Sequence, residues 1–295
     1  MTPGSGGDLR IPANLAGSAR REGRLGWLEA LPALVSQTAG RLGLVLGEPY
    51  EPGGRNAWVA PGRTATGGDV VVKVAWRHPE ARDEAEGLRL AGGEGMVRLL
   101  SEESCGESTV LLLERCVPGT ALSERPEPEQ DLVIAGLLRR LWQVSPDAGS
   151  FRSLESMCRR WTEEYAARPD HERSLVDPGL AREGIALFGS LCRPAPDDVL
   201  LCTDLHAGNV LAATREPWLG IDPKPHVGDR TYDVLQHLLN CRSRLARDPL
   251  GLVGRMADLA GLEADRLRLW LFARCVQQSP GWPFLAPVAR RLAPG

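Results

Sequence analysis

The sequence predicts an α+β chain in two lobes, a small β-sheet-containing N-terminal lobe over residues 1–115 and a larger, mainly helical C-terminal lobe over residues 116–295. Three observations predict it. Short β-prone runs separated by Gly-rich turns crowd into residues 50–113. Helical periodicity dominates beyond Pro118-Gly119, and one β-rich island at 199–221 interrupts it. Parts of this size fall within the usual range for a compact domain.

Taken in order, Leu25, Leu28, Leu31, Leu34, Val35, Leu42 and Leu46 recur at near-helical spacing and predict an N-terminal helix within 11–47, broken or started at Pro32. Strands are expected at 57–60 and 70–76, flanked by the Gly53-Gly54 and Gly67-Gly68 turns. Residues 80–91 carry Glu80, Asp83, Glu84 and Glu86 ahead of Leu88 and Leu90, a charged helix that stops at Gly92-Gly93. Two more β-prone runs follow, at 96–100 and 109–113. Past Pro126-Glu-Pro128, helices are expected at 129–144, 151–168, 179–192, 230–246, 250–260 and 263–277. The island contributes runs at 199–202, 210–213 and 218–221.

The formal net charge of −3 and the absence of a basic run argue against nucleic acid and leave a small molecule as the expected partner. The first residues show no basic stretch followed by an apolar one, and no window approaches the roughly 18 apolar residues of a membrane span. The expectation is a soluble cytoplasmic protein with no membrane partner, a monomer or weak dimer. The seven cysteines include no C-x-x-C pair, which points to free thiols rather than disulfides or a zinc site. Of the 35 Lys plus Arg residues only two are lysine, Lys73 and Lys224. A chain that uses Arg for nearly every cation keeps Lys where a compact ammonium has a purpose.

The island reads Leu201-Cys-Thr-Asp204-Leu-His-Ala-Gly-Asn209-Val and continues to Ile221-Asp222. If 210–213 and 218–221 form a hairpin around 214–217, the symmetric register makes Asn209 and Asp222 partners at its open end, about 4.5–5.5 Å apart. One amide and one carboxylate oxygen suit Mg²⁺, which fills its other positions with water and phosphate. Asp204 stands five residues before Asn209, the D-x-x-x-x-N spacing of the catalytic loop in protein-kinase-like enzymes, where the Asp orients an acceptor hydroxyl and receives its proton. In-line transfer requires base and metal ligands on one short rigid turn.

Upstream, Lys73 sits in Val70-Val-Val-Lys-Val-Ala-Trp76, where alternation turns Val72 and Val74 to one face and Lys73 to the other, toward phosphate oxygens. Glu84 and Glu86 follow as carboxylates able to orient it, Glu84 preferred. The Gly53-Gly54 turn offers backbone N–H groups to phosphates. Neither lysine lies in a G-x-x-x-x-G-K-[ST] context, so the motif of P-loop enzymes is absent. Each residue alone has an ordinary reading: Lys73 as an edge residue, Asp204 as a cap, Asn209 and Asp222 as turn formers. Their order and context together favour kinase chemistry. His206 is read as hydrogen-bonding the loop rather than as the base. Asp229 and Asp233 either cap the next helix or brace the loop, with bracing preferred for Asp233.

At these residues the sequence resembles the aminoglycoside phosphotransferases, in the streptomycin 6-kinase and hydroxyurea phosphotransferase branch. The match runs through Ile11-Pro12, Leu31-Pro-Ala-Leu-Val35, Gly95-Met-Val-Arg-Leu-Leu100, Leu111-Leu-Leu-Glu-Arg115, Asp204-Leu-His206 with Gly208-Asn-Val-Leu211, and Trp218-Leu-Gly-Ile-Asp-Pro-Lys-Pro225 with Val227-Gly-Asp229. The resemblance implies a bilobal protein-kinase-like fold, ATP and Mg²⁺ as cofactors, and phosphorylation of a streptomycin hydroxyl, an antibiotic-resistance activity. It further implies Asp204 as base, Asn209 and Asp222 as metal ligands, and Lys73, oriented by Glu84, on phosphates. The segment after Leu113, Glu114-Arg115-Cys116, is implied as the hinge that receives adenine on its backbone. Where the family usually has His-Gly before the Asp, this chain has Cys202-Thr203, and a helix motif that often reads Leu-His reads Leu141-Trp142. Alternatives are hydroxyurea or another small hydroxylated metabolite as acceptor, or a nucleotide-binding module without turnover. Glu163, Glu164 and Asp170 are candidate carboxylates for a guanidinium-bearing acceptor, with a solvated charged face as the other reading.

Overall fold

The computed structural model describes residues 9–78, 82–145 and 151–295. They divide into two compact units, one running to Gly93 and including Val97–Val117, the other comprising Glu94–Met96 and Pro118–Gly295.

The first unit opens with α1 (Ala13–Arg21) and α2 (Leu25–Leu42). The single helix expected here is two, because Gly23 takes φ +70° between them. Pro32 lies inside α2 rather than at a break. Its exposed position turns toward solvent, where water can satisfy the carbonyl that its missing N–H leaves open. The strands are β1 (Val45–Leu46), β2 (Ala57–Arg63) and β3 (Asp69–Trp76), then, after α3 (Glu84–Ala91), β4 (Leu99–Cys105) and β5 (Ser108–Glu114). They form one antiparallel sheet in the order β1-β2-β3-β5-β4. Val70, Val72 and Val74 of β3 pack with Trp58, Val110 and the apolar stripe Trp27, Leu31 and Val35 of α2. Trp27 donates its indole N–H to the buried Ser108 hydroxyl at 2.8 Å, which fixes α2 against β5. The charged helix begins at Glu84; Glu80 lies outside the described residues. The run expected at 96–100 becomes a strand only from Leu99, since Met96 instead bridges Gly220 within the second unit.

The second unit is mainly helical: α4 (Glu127–Leu141), α5 (Leu154–Ala166), α6 (Asp170–Arg173) and α7 (Pro178–Leu191) precede the island. The island itself is β6 (Val199–Leu201), β7 (Val210–Ala212), β8 (Trp218–Gly220) and β9 (His226–Gly228), with β6 paired to β9 and β7 to β8. Then come α8 (Leu235–Asn240), α9 (Arg242–Arg247), α10 (Pro249–Ala260), α11 (Ala264–Gln278) and α12 (Leu285–Leu292). The helix expected at 230–246 is divided: Asp229 accepts from Thr231 N and starts a tight 3₁₀ turn at Arg230–Val234, and the backbone bends again at Cys241. Phe188 and Trp270 pack on Trp161 and Tyr232, ring centroids 5.3–6.3 Å apart, and join α5, α7 and α11. All seven cysteines are free, and six are buried, Cys105 being partly exposed. No helix among the described residues is long and apolar enough to cross a membrane.

A buried charge network ties α4 to three later helices. Asp131 accepts from both guanidinium nitrogens of Arg244 at 2.9 and 2.7 Å, from Arg255 at 2.6 Å, and lies 2.9 Å from His237 Nε2. Cys241 completes an Asp-His-Cys cluster. Two guanidiniums already neutralise the carboxylate, and burial pushes the Cys241 thiol up to about 12, so the cluster is a structural node rather than a cation site. Burial alone would raise the Asp131 pKa; the His237 and arginine hydrogen bonds overcome it and hold the group well below the usual carboxylate range. Because the folded-state pKa is depressed, this stabilisation is complete above about pH 4 and is lost as pH falls. Asp131→Asn will therefore cost about 3–5 kcal/mol at pH 7. Urea unfolding will also show a variant whose stability depends less on pH between about 2 and 5.

Candidate active site

Antiparallel pairing of β6 with β9 sets Leu201 opposite His226 and delivers residues 202–204 to the segment 222–226. The side chain that shapes this loop is Asp233, fully buried at the end of the 3₁₀ turn. Its Oδ2 accepts from Cys202 N at 3.0 Å and from the Trp142 indole at 3.1 Å, and its Oδ1 accepts from Thr203 N at 2.6 Å. Burial pushes the Asp233 carboxyl up to about 6 against the pull of these donors, so at neutral pH it is predominantly an ionised acceptor. Thr203 takes φ +55°, a left-handed conformation that costs a β-branched residue about 1–3 kcal/mol. Two bonds hold it there: the one to Asp233, and its own hydroxyl donating to the Lys224 carbonyl at 2.6 Å.

Asp204 follows, buried, with its Oδ2 2.5 Å from Lys224 Nζ. Burial raises its pKa, Lys224 opposes that rise, and the neighbouring charge of Asp222 adds to it. Asn209 ends the 3₁₀ turn Ala207–Asn209 and donates its Nδ2 to the Asp204 carbonyl at 3.1 Å. His206 accepts from Gly208 N through Nδ1 at 3.1 Å, a bond within the loop, and burial depresses its pKa.

The β7–β8 hairpin departs from the symmetric register. Val210 pairs with Gly220 and Ala212 with Trp218 across a five-residue connection, 213–217, so Asn209 faces Ile221, whose N–H donates to the Asn209 carbonyl at 2.9 Å. The pairing of Asn209 with Asp222 is thus corrected by one residue. Asp222 lies just past the ladder and adopts φ +54°, leaving the strand's alternation. Met96 explains Gly220: a Cβ there would lie 2.6 Å from the Met96 sulfur.

In the first unit, Lys73 pairs across the sheet with Val59 and Leu111 and places its ammonium 2.7 Å from both carboxylate oxygens of Glu84, itself buried at the first turn of α3. Glu86 instead pairs with Arg89 on the exposed side. Gly53, at φ +75°, is packed on Pro12, and its carbonyl accepts from Asn14 at 3.0 Å, so this turn is fastened to α1. Glu114 closes β5, its carboxylate accepting from Arg98 N at 3.0 Å; Arg115 lies 3.3 Å from Asp69, and Cys116 is buried.

The pattern of residues over 45–283 matches the family of aminoglycoside/hydroxyurea antibiotic resistance kinases. The chain belongs to that family. It is 36% identical over 289 residues to a streptomycin 6-kinase of Streptomyces griseus, spanning 92% of this chain and 90% of the relative. It is 36% identical to a hydroxyurea phosphotransferase of Kitasatospora aureofaciens, spanning 92% and 80%. Among solved structures, an aminoglycoside phosphotransferase of Streptomyces rimosus in complex with ADP and streptomycin superposes with a TM-score of 0.56 at 18% identity, covering 88% of this chain and 98% of that one. A choline kinase of Streptococcus pneumoniae superposes at 0.61 and 12%, covering 89% and 97%. The fold is that of the protein-kinase-like small-molecule kinases.

Trp142 and the Cys202-Thr203 pair converge, since all three donate to the one carboxylate of Asp233. A groove of about 1050 Å³ between α5, α6 and α7 takes in Glu163 and Asp170 but not Glu164, which pairs with Arg160 at 3.6 Å. Asp204, Asn209 and Asp222 do not line it. Lys224 and Thr203 are the site residues that spacing did not assign; the lysine's rarity was the available signal for the first. Asp233→Asn keeps one acceptor and turns an amide N–H₂ on a backbone donor. It is expected to lose about 2 kcal/mol in denaturant unfolding, with a matching drop in turnover.

Proposed function

We propose that the chain transfers the γ-phosphoryl group of ATP to a hydroxyl of streptomycin, at the 6-position of its streptidine ring. The observation that carries this reading is Asp204, a carboxylate fixed on a braced loop with one oxygen on an ammonium, five residues ahead of Asn209. Near full-length similarity to a streptomycin 6-kinase supports the acceptor. The first unit is read as the nucleotide-binding lobe, with Lys73 and Glu84 for the α- and β-phosphates and Glu114, Arg115 and Cys116 for adenine. Gly53 and Gly54 complete the nucleotide set in this reading. The second unit carries the transfer chemistry and the acceptor.

The acceptor oxygen forms a bond to Pγ as the bond from Pγ to the β,γ-bridging oxygen breaks, and that electron pair departs on ADP. The hydroxyl proton passes to the Asp204 carboxylate and then to solvent. Asp204 contributes chiefly by aiming the hydroxyl in line, which its fixed position allows without reorganisation. Asn209 and Asp222 would hold Mg²⁺, which when bound neutralises phosphate oxygens. The residues fit such an ion: Asn209 spends its Nδ2 on the Asp204 carbonyl, leaving its amide oxygen as the ligand atom, and the chemistry of the set, one amide and one carboxylate oxygen, suits a hard cation.

Hydroxyurea is the second reading, carried by equal identity to a hydroxyurea phosphotransferase. ADP release with streptomycin, other aminocyclitols and hydroxyurea, each with ATP and with GTP, separates the two. Phosphorylated streptomycin from ATP is the expected product, and turnover with hydroxyurea alone would overturn it. Asp204→Asn is expected to lower transfer by about 10²–10⁴-fold with the circular dichroism unchanged. Glu84→Gln will raise KM for ATP about tenfold or more, because the ammonium of Lys73 loses the charge that orients it. An unaltered KM would remove Lys73 from the nucleotide site.

A further inference from the structure

Thr203 and Lys224 hold each other through the backbone. Lys224 N donates to the Cys202 carbonyl at 2.9 Å, and Thr203 Oγ1 donates to the Lys224 carbonyl at 2.6 Å. The same carbonyl lies 2.9 Å from the ring of the buried His226. The lysine backbone is thereby fixed, and its ammonium reaches back to Asp204 Oδ2 at 2.5 Å, while Oδ1 accepts no hydrogen bond among the described residues. A glycine at 203 would adopt φ +55° freely, yet the chain keeps a β-branched residue there, whose hydroxyl is the group a glycine lacks. Likewise it keeps lysine at 224 although 33 of its 35 cationic residues are arginine. A compact ammonium on a single oxygen is the geometry a planar guanidinium fork does not reproduce.

We propose that Thr203 and Lys224 form a clamp that selects which oxygen of Asp204 meets the acceptor: Thr203 is a positioning residue acting through Lys224, and Lys224 engages Oδ2 so that Oδ1 is presented to the hydroxyl. The proposal rests on the phosphotransferase reading for its kinetic test and not for its chemical one. Thr203→Gly removes the hydroxyl and releases the strain, so the folded state will be no less heat-stable while kcat falls about tenfold with KM for ATP unchanged. Lys224→Met will lower kcat about 10²-fold, the scale set by misplacing a reacting group by about 1 Å. Thr203→Ser, which keeps the hydroxyl, will restore most of the loss, and Lys224→Arg will not. If Thr203 acts through Lys224, the double variant Thr203→Gly/Lys224→Met is no slower than Lys224→Met alone. Multiplied losses would overturn the clamp. Should the glycine variant fail to fold, Thr203→Val, with the same shape and no hydroxyl, replaces it in the cycle.

A second measurement needs no turnover. With lysines only at 73 and 224, reductive methylation with ¹³C-formaldehyde followed by peptide mass analysis reads Lys224 directly. Its methylation will be slow in the wild type and several-fold faster in Asp204→Asn and in Thr203→Gly. Equal rates in all three would overturn the clamp even in an active kinase. Protection of Lys224 in a wild type that phosphorylates no acceptor would sink the activity and keep the clamp.

Discussion

The buried carboxylate of Asp233 is the constraint on which the loop of this kinase depends. Two consecutive backbone N–H groups, those of Cys202 and Thr203, point at it, and the Trp142 indole joins from α4. Consecutive N–H groups converge on one acceptor only if the backbone at Cys202 between them turns, and the next residue, Thr203, sits in the left-handed region at φ +55°. That turn aims Asp204. An ionised group in the interior is costly unless donors surround it, and here the donors are the chain segments that need to be held. Bracing and loop geometry are therefore one interaction.

The first unit uses the opposite arrangement for its own charged pair. Lys73 lies in mid-strand between β2 and β5, where neither neighbour offers it a charge, and Glu84 at the start of α3 supplies one. The apolar face of β3, with Val70, Val72 and Val74, anchors the strand in the core, so the lysine on its other face has little freedom of position. Packing on one side thereby sets the location of a cation on the other.

Much of this was legible in the sequence for identifiable reasons. Alternation around Lys73 gave the strand, and an eleven-residue step to the first turn of a charged helix gave Glu84 as its partner. The D-x-x-x-x-N spacing located the loop because local turns are encoded locally. What escaped was set by single residues or by distance. The β7–β8 register shifted by one because the connection took five residues instead of four, a choice that turn composition alone does not fix. Pro32 was tolerated in α2 because tertiary packing put it on the solvent side. Met96 left its β-prone run to bridge Gly220, over a hundred residues away, and Trp142 reached Asp233 across a similar separation. Propensity carries no record of such partners.

The burial of the thiols has a practical corollary. Six of the seven cysteines are buried, and Cys105, at the end of β4 beside its turn into β5, is the most exposed. In the native chain a maleimide or a disulfide reagent thus meets Cys105, with Cys192 on the wall of the groove between α5 and α7 as the other thiol near solvent, and a fluorophore on Cys105 reports from the sheet edge. Once the fold opens, all seven become reactive. The number of thiols titrated per chain is then a direct count of how many molecules are unfolded, obtained without any optical signal from the protein itself.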